Sequence, residues 1–419
     1  MKRQTLWTYD FTVITIGSFV SLVGSILSSF AVGLLVLDVT GSTFLYMFYN
    51  VAYQLPMVVC PIIAGPYLDR MSRKKVIYTL DFLSAGIYLT LFLLLREGWF
   101  SYPVLLAVNA LTGVISSVYS VAYESFYPNL IAEGNFEKAY SVSSLLEDVA
   151  FMTYPLGAIL YQWLGGAAAL FAIDAVSFFL AACFEVTIRH KETHMAEAPV
   201  RSGLSAAEQF WREFREGVDY IKGEKGLLMI ALYFMVLMMT GGAEMLNLPY
   251  FRNHADRFAA WPVDAATLYA VLSNFMVVGR LAGGVVQYRV HIPKDRKFSI
   301  AVIVYAATSL LAGTVLFLPV PLMAASYFAN GVLGVISYTI RTAATQSYVP
   351  DNKRARFNGV FQMMSALGGI VGSLVVGTLS EILPERGIIA GANALVLAAA
   401  YCFIWHGREH VKKVYNRDV

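Results

Sequence analysis

Two long apolar segments near the N-terminus are separated by the stretch Gly65-Pro-Tyr-Leu-Asp69-Arg70-Met-Ser-Arg73-Lys74-Lys75. If both segments are membrane helices, a connection this short makes them antiparallel neighbours. Lys and Arg are enriched in the cytoplasmic loops of membrane proteins, so the four cations place this turn on the cytoplasmic side. The stretch therefore predicts a polytopic helical membrane protein.

The composition of the whole chain supports that class. The 419 residues are 58% hydrophobic and 14% charged, with a mean hydropathy of +0.60. A soluble domain carries about 25% charged residues, so a water-soluble enzyme of this composition would expose too much apolar surface. The composition favours a membrane protein and argues against a soluble enzyme.

The reactive residue types do not form a recognisable catalytic or metal pattern. The six histidines are scattered, and Cys60, Cys183 and Cys402 fall in separate apolar stretches rather than in a disulfide or metal framework. No soluble segment combines basic and aromatic residues as a nucleic-acid site would. We therefore expect no enzymatic activity, no cofactor, no metal and no nucleic-acid partner.

Apolar runs of about 20 residues, the length that crosses a bilayer, occur twelve times. The first is longer than the apolar core of a signal peptide, so we expect it to remain as a membrane helix. The sequence predicts spans 1 to 12 at residues 11–37, 43–66, 76–95, 103–127, 139–163, 166–188, 227–250, 266–288, 298–317, 321–345, 357–382 and 387–406.

The distribution of positive charge orients these spans. With the N-terminus inside, 25 of the 31 Lys and Arg residues lie in cytoplasmic segments, four lie outside, and Arg280 and Arg341 lie within spans. This bias predicts a multi-pass protein of the cell membrane with both termini in the cytoplasm.

Short sequence matches at an offset of about half the chain indicate a duplication. Residues 109–116 match 330–337, and Met57-Val-Val59 matches Met276-Val-Val278. The predicted fold is therefore an all-α membrane protein with two pseudo-symmetric six-helix bundles, in which substrate sites lie near mid-membrane between the halves. The predicted domains are an N-terminal bundle at 1–190, a cytoplasmic linker at 191–226 and a C-terminal bundle at 227–419.

The second part of the linker has the pattern of an amphipathic helix. Residues 206–221 place their large apolar side chains on one stripe and their charges on the other side, as in a helix along a membrane surface. The stripe consists of Phe210, Trp211, Phe214, Val218 and Ile221. A strut that joins two bundles and a regulatory partner site are both compatible with it.

The stretch from Gly65 to Lys75 resembles the signature loop of the major facilitator superfamily. That loop has Gly, three residues, Asp, Arg, one residue, Gly and then basic residues, and here Ser72 replaces the second Gly. Segments 17–25, 40–42, 172–178 and 216–221 are similar to the macrolide-efflux type of drug–proton antiporters. The resemblance implies a secondary transporter that works by alternating access.

Two segments depart from the pattern of proton-coupled drug exporters. Many of these carry an Arg in the fourth helix, whereas Val108-Asn-Ala-Leu-Thr-Gly113 has none. The antiporter motif of the fifth helix is reduced to Tyr154-Pro155-Leu-Gly157. Proton coupling would therefore use other residues.

Acids within spans are the candidates for proton coupling, because a charge in hydrocarbon costs at least about 2.5 kcal/mol and is usually functional. Glu147 and Asp148 lie near the midplane of span 5, and Asp174 lies in span 6. As adjacent residues, Glu147 and Asp148 point about 100° apart, so we expect one of them to face a cavity. Structural hydrogen bonds to neighbouring serines are the alternative for these acids.

Five further residues are candidates for contact with a substrate. Glu244 and Asn247 lie in the outer half of span 7, where Gly241, Gly242 and Pro249 predict a bendable segment, and Arg280 lies deep in span 8. Arg280 would pair with an acid such as Glu147 or with an anionic substrate. Tyr119 and Tyr123 offer an aromatic wall, although interfacial anchoring is the commoner role of such tyrosines.

The resemblance also implies a gating motif on the cytoplasmic side. Asp69 would accept hydrogen bonds from the opposite half, and Arg70 and Arg73 would pair with acids there. Glu124 and Arg341, at the inner ends of spans 4 and 10, would close the same side by ion pairs. The predicted gating residues are Gly65, Asp69, Arg70, Arg73, Lys74, Lys75, Glu124 and Arg341.

These features predict export of a bulky amphiphilic small molecule, such as a drug or siderophore-like compound, in exchange for protons. The sequence has no Gly-x-x-x-x-Gly-Lys-Ser/Thr loop for ATP, so an ion gradient would supply the energy. A monomer in contact with the lipid bilayer is expected. A lipid or lysophospholipid translocase and a membrane sensor that transports nothing are the alternatives.

Overall fold

The computed structural model describes residues 5–68, 71–132, 135–190, 192, 206–289 and 292–416. All regular structure in these ranges is helical. The helices of the first half are α1 (Tyr9–Thr40), α2 (Thr43–Leu68), α3 (Arg73–Arg96), α4 (Tyr102–Phe126), α5 (Phe136–Phe151), α6 (Tyr154–Trp163) and α7 (Ala168–Val186). The remaining helices are α8 (Ala206–Gly223), α9 (Lys225–Glu244), α10 (Asn247–Asn253), α11 (Ala265–Arg289), α12 (Lys294–Thr314), α13 (Val320–Tyr348), α14 (Asp351–Leu379), α15 (Glu385–Ala399) and α16 (Arg408–Tyr415).

The prediction of an all-α membrane protein is confirmed. In the described part of the chain, ten helical stretches are long and apolar enough to cross a membrane, and they fall on ten of the predicted spans. The other two spans, 43–66 and 139–163, are helical as α2 and as the pair α5 and α6. The count of twelve membrane crossings stays a prediction.

The chain divides into two compact units. Unit 1 contains Met1–Gly41 and Tyr49–Ala207, and unit 2 contains Ser42–Phe48 and Glu208–Val419. Within unit 1, α7 packs against α1 and α3; within unit 2, α9 packs against α14 and α11 packs against α13. The predicted limits of the two bundles and their linker stay predictions.

A close approach of two helices occurs at similar places in both units. A Cβ atom at Gly113 of α4 would lie 2.5 Å from the carbonyl oxygen of Tyr53 in α2. In unit 2, a Cβ atom at Gly331 of α13 would lie 2.1 Å from the carbonyl oxygen of Met276 in α11. Gly334, the residue that sequence matching pairs with Gly113, would meet nothing within 4 Å. The tight helix contact of unit 2 therefore lies about one helical turn before the matched position.

Two predicted spans are interrupted shortly before a proline. Span 139–163 breaks between α5 and α6, and span 227–250 breaks between α9 and α10. Pro155 and Pro249 lie in the first turns of α6 and α10, where a missing N–H costs least. The bend expected in span 7 is present, whereas the break in span 5 was not predicted.

The linker helix predicted at 206–221 forms as α8. Phe214 and Val218 pack against the hydrophobic core of unit 2, and Ile221 is 2% exposed within it. Trp211, in contrast, is 60% exposed. The prediction that Trp211 belongs to an apolar stripe along a membrane surface stays a prediction, since an exposed side chain there is compatible with contact to lipid.

Candidate functional site

Unit 1 contains a cavity of about 300 Å³ lined by residues of α1, α2, α3, α4, α5, α7 and the short 3-10 helix after α4. Its polar lining residues are Thr15, Ser18, Ser21, Ser25, Asp81, Ser84, Ser116, Ser143 and Glu147. Its aromatic lining residues are Phe19, Tyr53, Tyr119, Tyr123, Tyr127 and Phe178. None of the described residues that line it is Lys, Arg or His, so the wall combines hydroxyl groups, aromatic rings and two carboxyl groups.

Helix α1 supplies a row of hydroxyl groups to this wall. Thr15, Ser18 and Ser25 follow a spacing that repeats about every turn, so they lie on one face of the helix. The side chain of Thr15 interacts with the phenol group of Tyr127, and that of Ser18 interacts with the phenol group of Tyr119. The hydroxyl groups of α1 and the tyrosines therefore form a continuous polar wall of the cavity.

Helix α4 supplies a stack of tyrosine rings. The rings of Tyr119 and Tyr123 are stacked with centroids 5.8 Å apart, and Tyr123 stacks on Tyr127 at 5.3 Å. The structure places Tyr119 and Tyr123, both predicted as cavity residues, at the cavity wall. Flat rings with polar tips suit molecules that carry both apolar and hydrogen-bonding groups.

Two acids that sequence analysis did not select meet beside the cavity. Asp81 of α3 is 1% exposed and lines the wall, and Glu185 of α7 is 0% exposed. Their carboxyl groups lie within interaction distance of each other, and the Tyr119 hydroxyl donates to Glu185 Oε1 at 3.2 Å. Among the described residues, no group of three or more His, Cys, Asp or Glu could hold a metal ion. The pair is thus a buried carboxyl contact next to a polar cavity.

Glu147 and Asp148 lie in different surroundings, as we expect for adjacent helical residues whose side chains point about 100° apart. Glu147 is exposed and lines the cavity, whereas Asp148 is 9% exposed and is not part of its wall. The structure therefore brings Glu147, but not Asp148, to the site. A role for either acid in proton coupling stays a prediction.

Asp174 is fixed between α7 and α1. Ser28 of α1 donates to Asp174 Oδ2, and Ser177 donates to Oδ1 at 3.2 Å. A Cβ atom at Gly24 of α1 would lie 2.7 Å from Asp174 Oδ1, so only glycine fits there. Asp174 is fully buried and does not line the cavity. Its surroundings are those of a structural carboxyl group, and its predicted role in proton coupling remains untested.

The predicted substrate residues of unit 2 form a separate neighbourhood. Glu244 is exposed near Tyr269 and Tyr327. Asn247 is 6% exposed and donates to the Glu244 carbonyl oxygen at 2.8 Å, while its Oδ1 is buried without a partner among the described residues. Arg280 is exposed on α11. The predicted pairing of Arg280 with Glu147 or with an anionic substrate stays a prediction.

The two residues predicted to close the cytoplasmic side lie in different units. In unit 1, Glu124 is exposed at the end of α4 and accepts a hydrogen bond of 3.3 Å from Ser120. In unit 2, the guanidinium of Arg341 lies 4.9 Å and 4.8 Å from the ring centroids of Phe234 and Phe361. Arg341 is thus held by aromatic faces within its own unit, and its ion pair with Glu124 stays a prediction.

The signature loop is described in part. Asp69 and Arg70 lie outside the described residues, Gly65 lies within α2, and Lys75 lies in the first turn of α3. Arg73 Nη1 donates to the Ser125 carbonyl oxygen at 3.0 Å, and Lys74 Nζ donates to the Ile188 carbonyl oxygen. These cations bind carbonyl groups of unit 1, and contacts of the loop with the opposite half stay predictions.

A carboxylate caps the start of α3 beside this loop. Glu192 accepts a hydrogen bond from the Ser72 hydroxyl and one of 2.8 Å from the Arg73 backbone N–H. The first N–H groups of a helix lack intrahelical partners and carry partial positive charge, so an anion there is stabilising. Sequence analysis assigned Glu192 to the linker, and the cap was found only from the structure.

Replacing Glu192 with alanine is expected to lower the free energy of unfolding by about 1 kcal/mol, the usual cost of losing a helix N-terminal cap. Glu97, at the other end of α3, is the matched control because an acid at a helix C-terminus opposes the helix dipole. Glu97→Ala should leave stability unchanged or raise it. Thermal unfolding of the two purified variants in detergent measures this difference, and equal losses would contradict the capping role.

Comparison with known proteins places this fold and site in context. The family model described as Major Facilitator Superfamily matches residues 14–373 and 291–416. An uncharacterized MFS-type transporter of Bacillus subtilis (strain 168), YkuC, is 24% identical over 237 residues, which cover 56% of this chain and 53% of that protein. The match thus spans about half the length of that relative. Macrolide efflux protein A of Streptococcus pyogenes is 23% identical over 291 residues, 68% of each protein.

Solved structures with the same fold come from other transporters. The nucleoside transporter NupG aligns with a TM-score of 0.71 and 12% identity, over 95% of this chain and 99% of that one. A point mutant of the peptide transporter POT aligns with a TM-score of 0.72 and 12% identity, over 96% of this chain and 95% of that one. At these identities the likeness concerns the fold alone.

Proposed function

The chain belongs to the major facilitator superfamily, and from that premise we propose that it is a secondary transporter that exports a bulky amphiphilic small molecule by alternating access. The inward movement of protons would drive this export. We further propose that it acts as a monomer in the cell membrane with both termini in the cytoplasm, as the charge bias predicts.

The composition of the unit 1 cavity carries this proposal. Its aromatic rings provide flat apolar surfaces, and its hydroxyl groups can form hydrogen bonds. The two carboxyl side chains in its wall belong to Asp81 and Glu147. With no basic residue in the described wall, the cavity would repel an anion and attract a cation. The cargo that fits best is an amphiphile with aromatic or ring-rich faces and a protonated amine.

The direction of transport is inferred from the curated relatives. Macrolide efflux protein A is an efflux protein by name and matches two thirds of this chain. The nucleoside and peptide transporters with the same fold are more distant in sequence, at 12% identity. Their substrates therefore do not indicate the cargo of this chain. Efflux of a basic amphiphile agrees both with the cavity and with this relative.

The direct test is transport by the full chain in everted membrane vesicles from a host that lacks its own drug exporters. We expect a pH gradient, acidic inside, to drive accumulation of ethidium and of the basic macrolide erythromycin. Uptake of lysophospholipid instead would favour a lipid translocase. The absence of any transport across a panel of cationic, neutral and lipid compounds would overturn the proposal.

Glu147→Gln is expected to raise the KM for ethidium at least about tenfold, because losing a contact with a charged group costs about 1.5–3 kcal/mol. The neighbouring Asp148→Asn is the matched control, since Asp148 is not part of the cavity wall. Initial rates of uptake at a series of ethidium concentrations give both KM values. If the two variants behave alike, Glu147 does not contact the cargo.

A further inference from the structure

We propose that Asp81 and Glu185 share one proton, and that this pair is the group that exchanges its proton for cargo. The inference rests on the proposed function and names the residues that would couple it to the proton gradient. Neither acid belongs to the residues that sequence patterns selected for this role.

The closeness of the two carboxyl groups favours a proton between them. Asp81 and Glu185 come from the packed helices α3 and α7, are 1% and 0% exposed, and lie within interaction distance of each other. Two carboxylates have no hydrogen to donate, so a hydrogen bond between these groups forms only when one of them is protonated. Two unit charges 4 Å apart repel by about 4 kcal/mol at an effective dielectric constant of 20. A shared proton removes that repulsion.

One oxygen of each carboxyl group receives no hydrogen bond from a neighbouring N–H or O–H group. Among the residues described, these buried oxygens are Asp81 Oδ2 and Glu185 Oε2. Among the described residues, the hydrogen-bond donor to the pair is Tyr119, which donates to Glu185 Oε1 at 3.2 Å. Room therefore exists for the pair to take up a proton without displacing another hydrogen bond.

No cation among the described residues neutralises the pair. The groups that act on it electrostatically are Asp174 on α7 and the phenols Tyr119 and Tyr123 on α4. From α1, Gly17 approaches Glu185 and contributes no charge. Glu147 of α5 lines the same cavity as Asp81 and is a further acid. The pair is therefore surrounded by acids and phenols, and a bound proton or a cationic cargo would supply the compensating positive charge.

The position of the pair connects it to the cargo cavity. Asp81 lines the cavity together with the hydroxyl group of Thr15, while Glu185 is fully buried behind the wall. A water molecule bound by Thr15 could deliver a proton to Asp81. A cation entering the cavity would stabilise the anionic form of the pair and release that proton. The O–H bond of the protonated carboxyl group breaks as its proton passes to water in the cavity, so one proton leaves the pair for each positive charge bound.

The test compares uphill transport with exchange in proteoliposomes that contain the full chain. For Asp81→Asn and for Glu185→Gln we expect the loss of ethidium accumulation driven by a pH gradient, with a final concentration ratio near one. In Glu185→Gln, whose side chain does not line the cavity, exchange of ethidium between the two sides without a gradient should remain within about twofold of the unmodified protein. Asp148→Asn, an acid outside the cavity wall, should retain both activities.

The possible outcomes distinguish a failure of this inference from a failure of the proposed function. If the unmodified protein neither accumulates nor exchanges ethidium or erythromycin, the proposed function fails. If Asp81→Asn or Glu185→Gln still concentrates ethidium, or if Glu185→Gln loses exchange while eluting as a folded monomer, the inference fails. Should both pair variants fail to fold, proton release by the unmodified protein decides the matter. Addition of ethidium to the detergent-solubilised protein should release about one proton per bound molecule, and no release would overturn the inference.

Discussion

Gly372→Ala is expected to destabilise unit 2 by about 3 kcal/mol, the upper part of the range for overpacked positions. Gly372 lies in α14 where that helix crosses α9, and a Cβ atom there would be 1.9 Å from the Met239 carbonyl oxygen and 2.6 Å from its Cα atom. Both atoms belong to the backbone of α9, so no side-chain rotation relieves the overlap. The two helices would have to separate, which removes the close packing on which helix association in a membrane depends.

Gly359→Ala provides the control for this prediction. Gly359 lies in the same helix, and a Cβ atom there would meet nothing within 4 Å. This variant should be as stable as the unmodified protein or slightly more so, because alanine has the higher helix propensity. Thermal unfolding of both purified variants in the same detergent measures the difference. Equal stability would show that α9 and α14 do not approach as closely as described.

Tyr250→Phe is expected to cost about 3 kcal/mol, because the hydrogen bonds from two charged side chains are lost together. The Tyr250 hydroxyl is buried and accepts hydrogen bonds from Arg257 Nη1 at 2.5 Å and from Arg386 Nε at 2.6 Å. Arg257 also donates to the Leu316 and Leu318 carbonyl oxygens. One phenol oxygen thus joins α10, the start of α15 and the turn that follows α12.

A second tyrosine variant distinguishes this cluster from a general effect of removing a hydroxyl group. Tyr401 is 63% exposed, so Tyr401→Phe should change stability by less than about 0.5 kcal/mol. Unfolding of the two variants should be followed both by heat and by increasing concentrations of a denaturing detergent. A loss for Tyr250→Phe no larger than that for Tyr401→Phe would contradict the assigned role of the hydroxyl group.

The membrane helices could be predicted from sequence because their signal is local. A run of about 20 apolar residues is the physical requirement for crossing a bilayer, and ten such runs appear as helices where they were expected. The amphipathic stripe of α8 was visible for the same reason, since its period is that of one helix. The docking of α8 could not be predicted, because the contact of Phe214, Val218 and Ile221 with the core of unit 2 depends on the other helices.

The acid pair was missed for two different reasons. Asp81 lies inside span 3, in the part closer to its start, and the rule that acids within spans are functional could have selected it. Glu185 lies near the end of span 6, where an acid that reaches the interface costs little, so its burial was not expected. Their contact joins α3 to α7 across more than 100 positions of the sequence, and a single sequence contains no signal for such a pairing.

Some local breaks in the helices could be predicted from the sequence, and others could not. The glycines and proline of span 7 indicated a bend, and Pro155 carried a similar signal in span 5 that was not used. The π-helix at Ala400–Trp405 has no proline or glycine within it to indicate it. Helix α16 is short and buries Val411, Val414 and Tyr415 against the rest of unit 2. These features depend on tertiary packing rather than on local pattern.

The aromatic surroundings of Arg341 have a consequence for how unit 2 responds to its medium. Ring faces neither titrate nor dissociate, whereas a carboxylate partner is neutralised in acid and weakened by salt. A guanidinium keeps its proton under all physiological conditions. Arg341 is therefore a constant positive charge whose position is insensitive to acidity and ionic strength, and lysine, which lacks a flat face to stack, would not replace it.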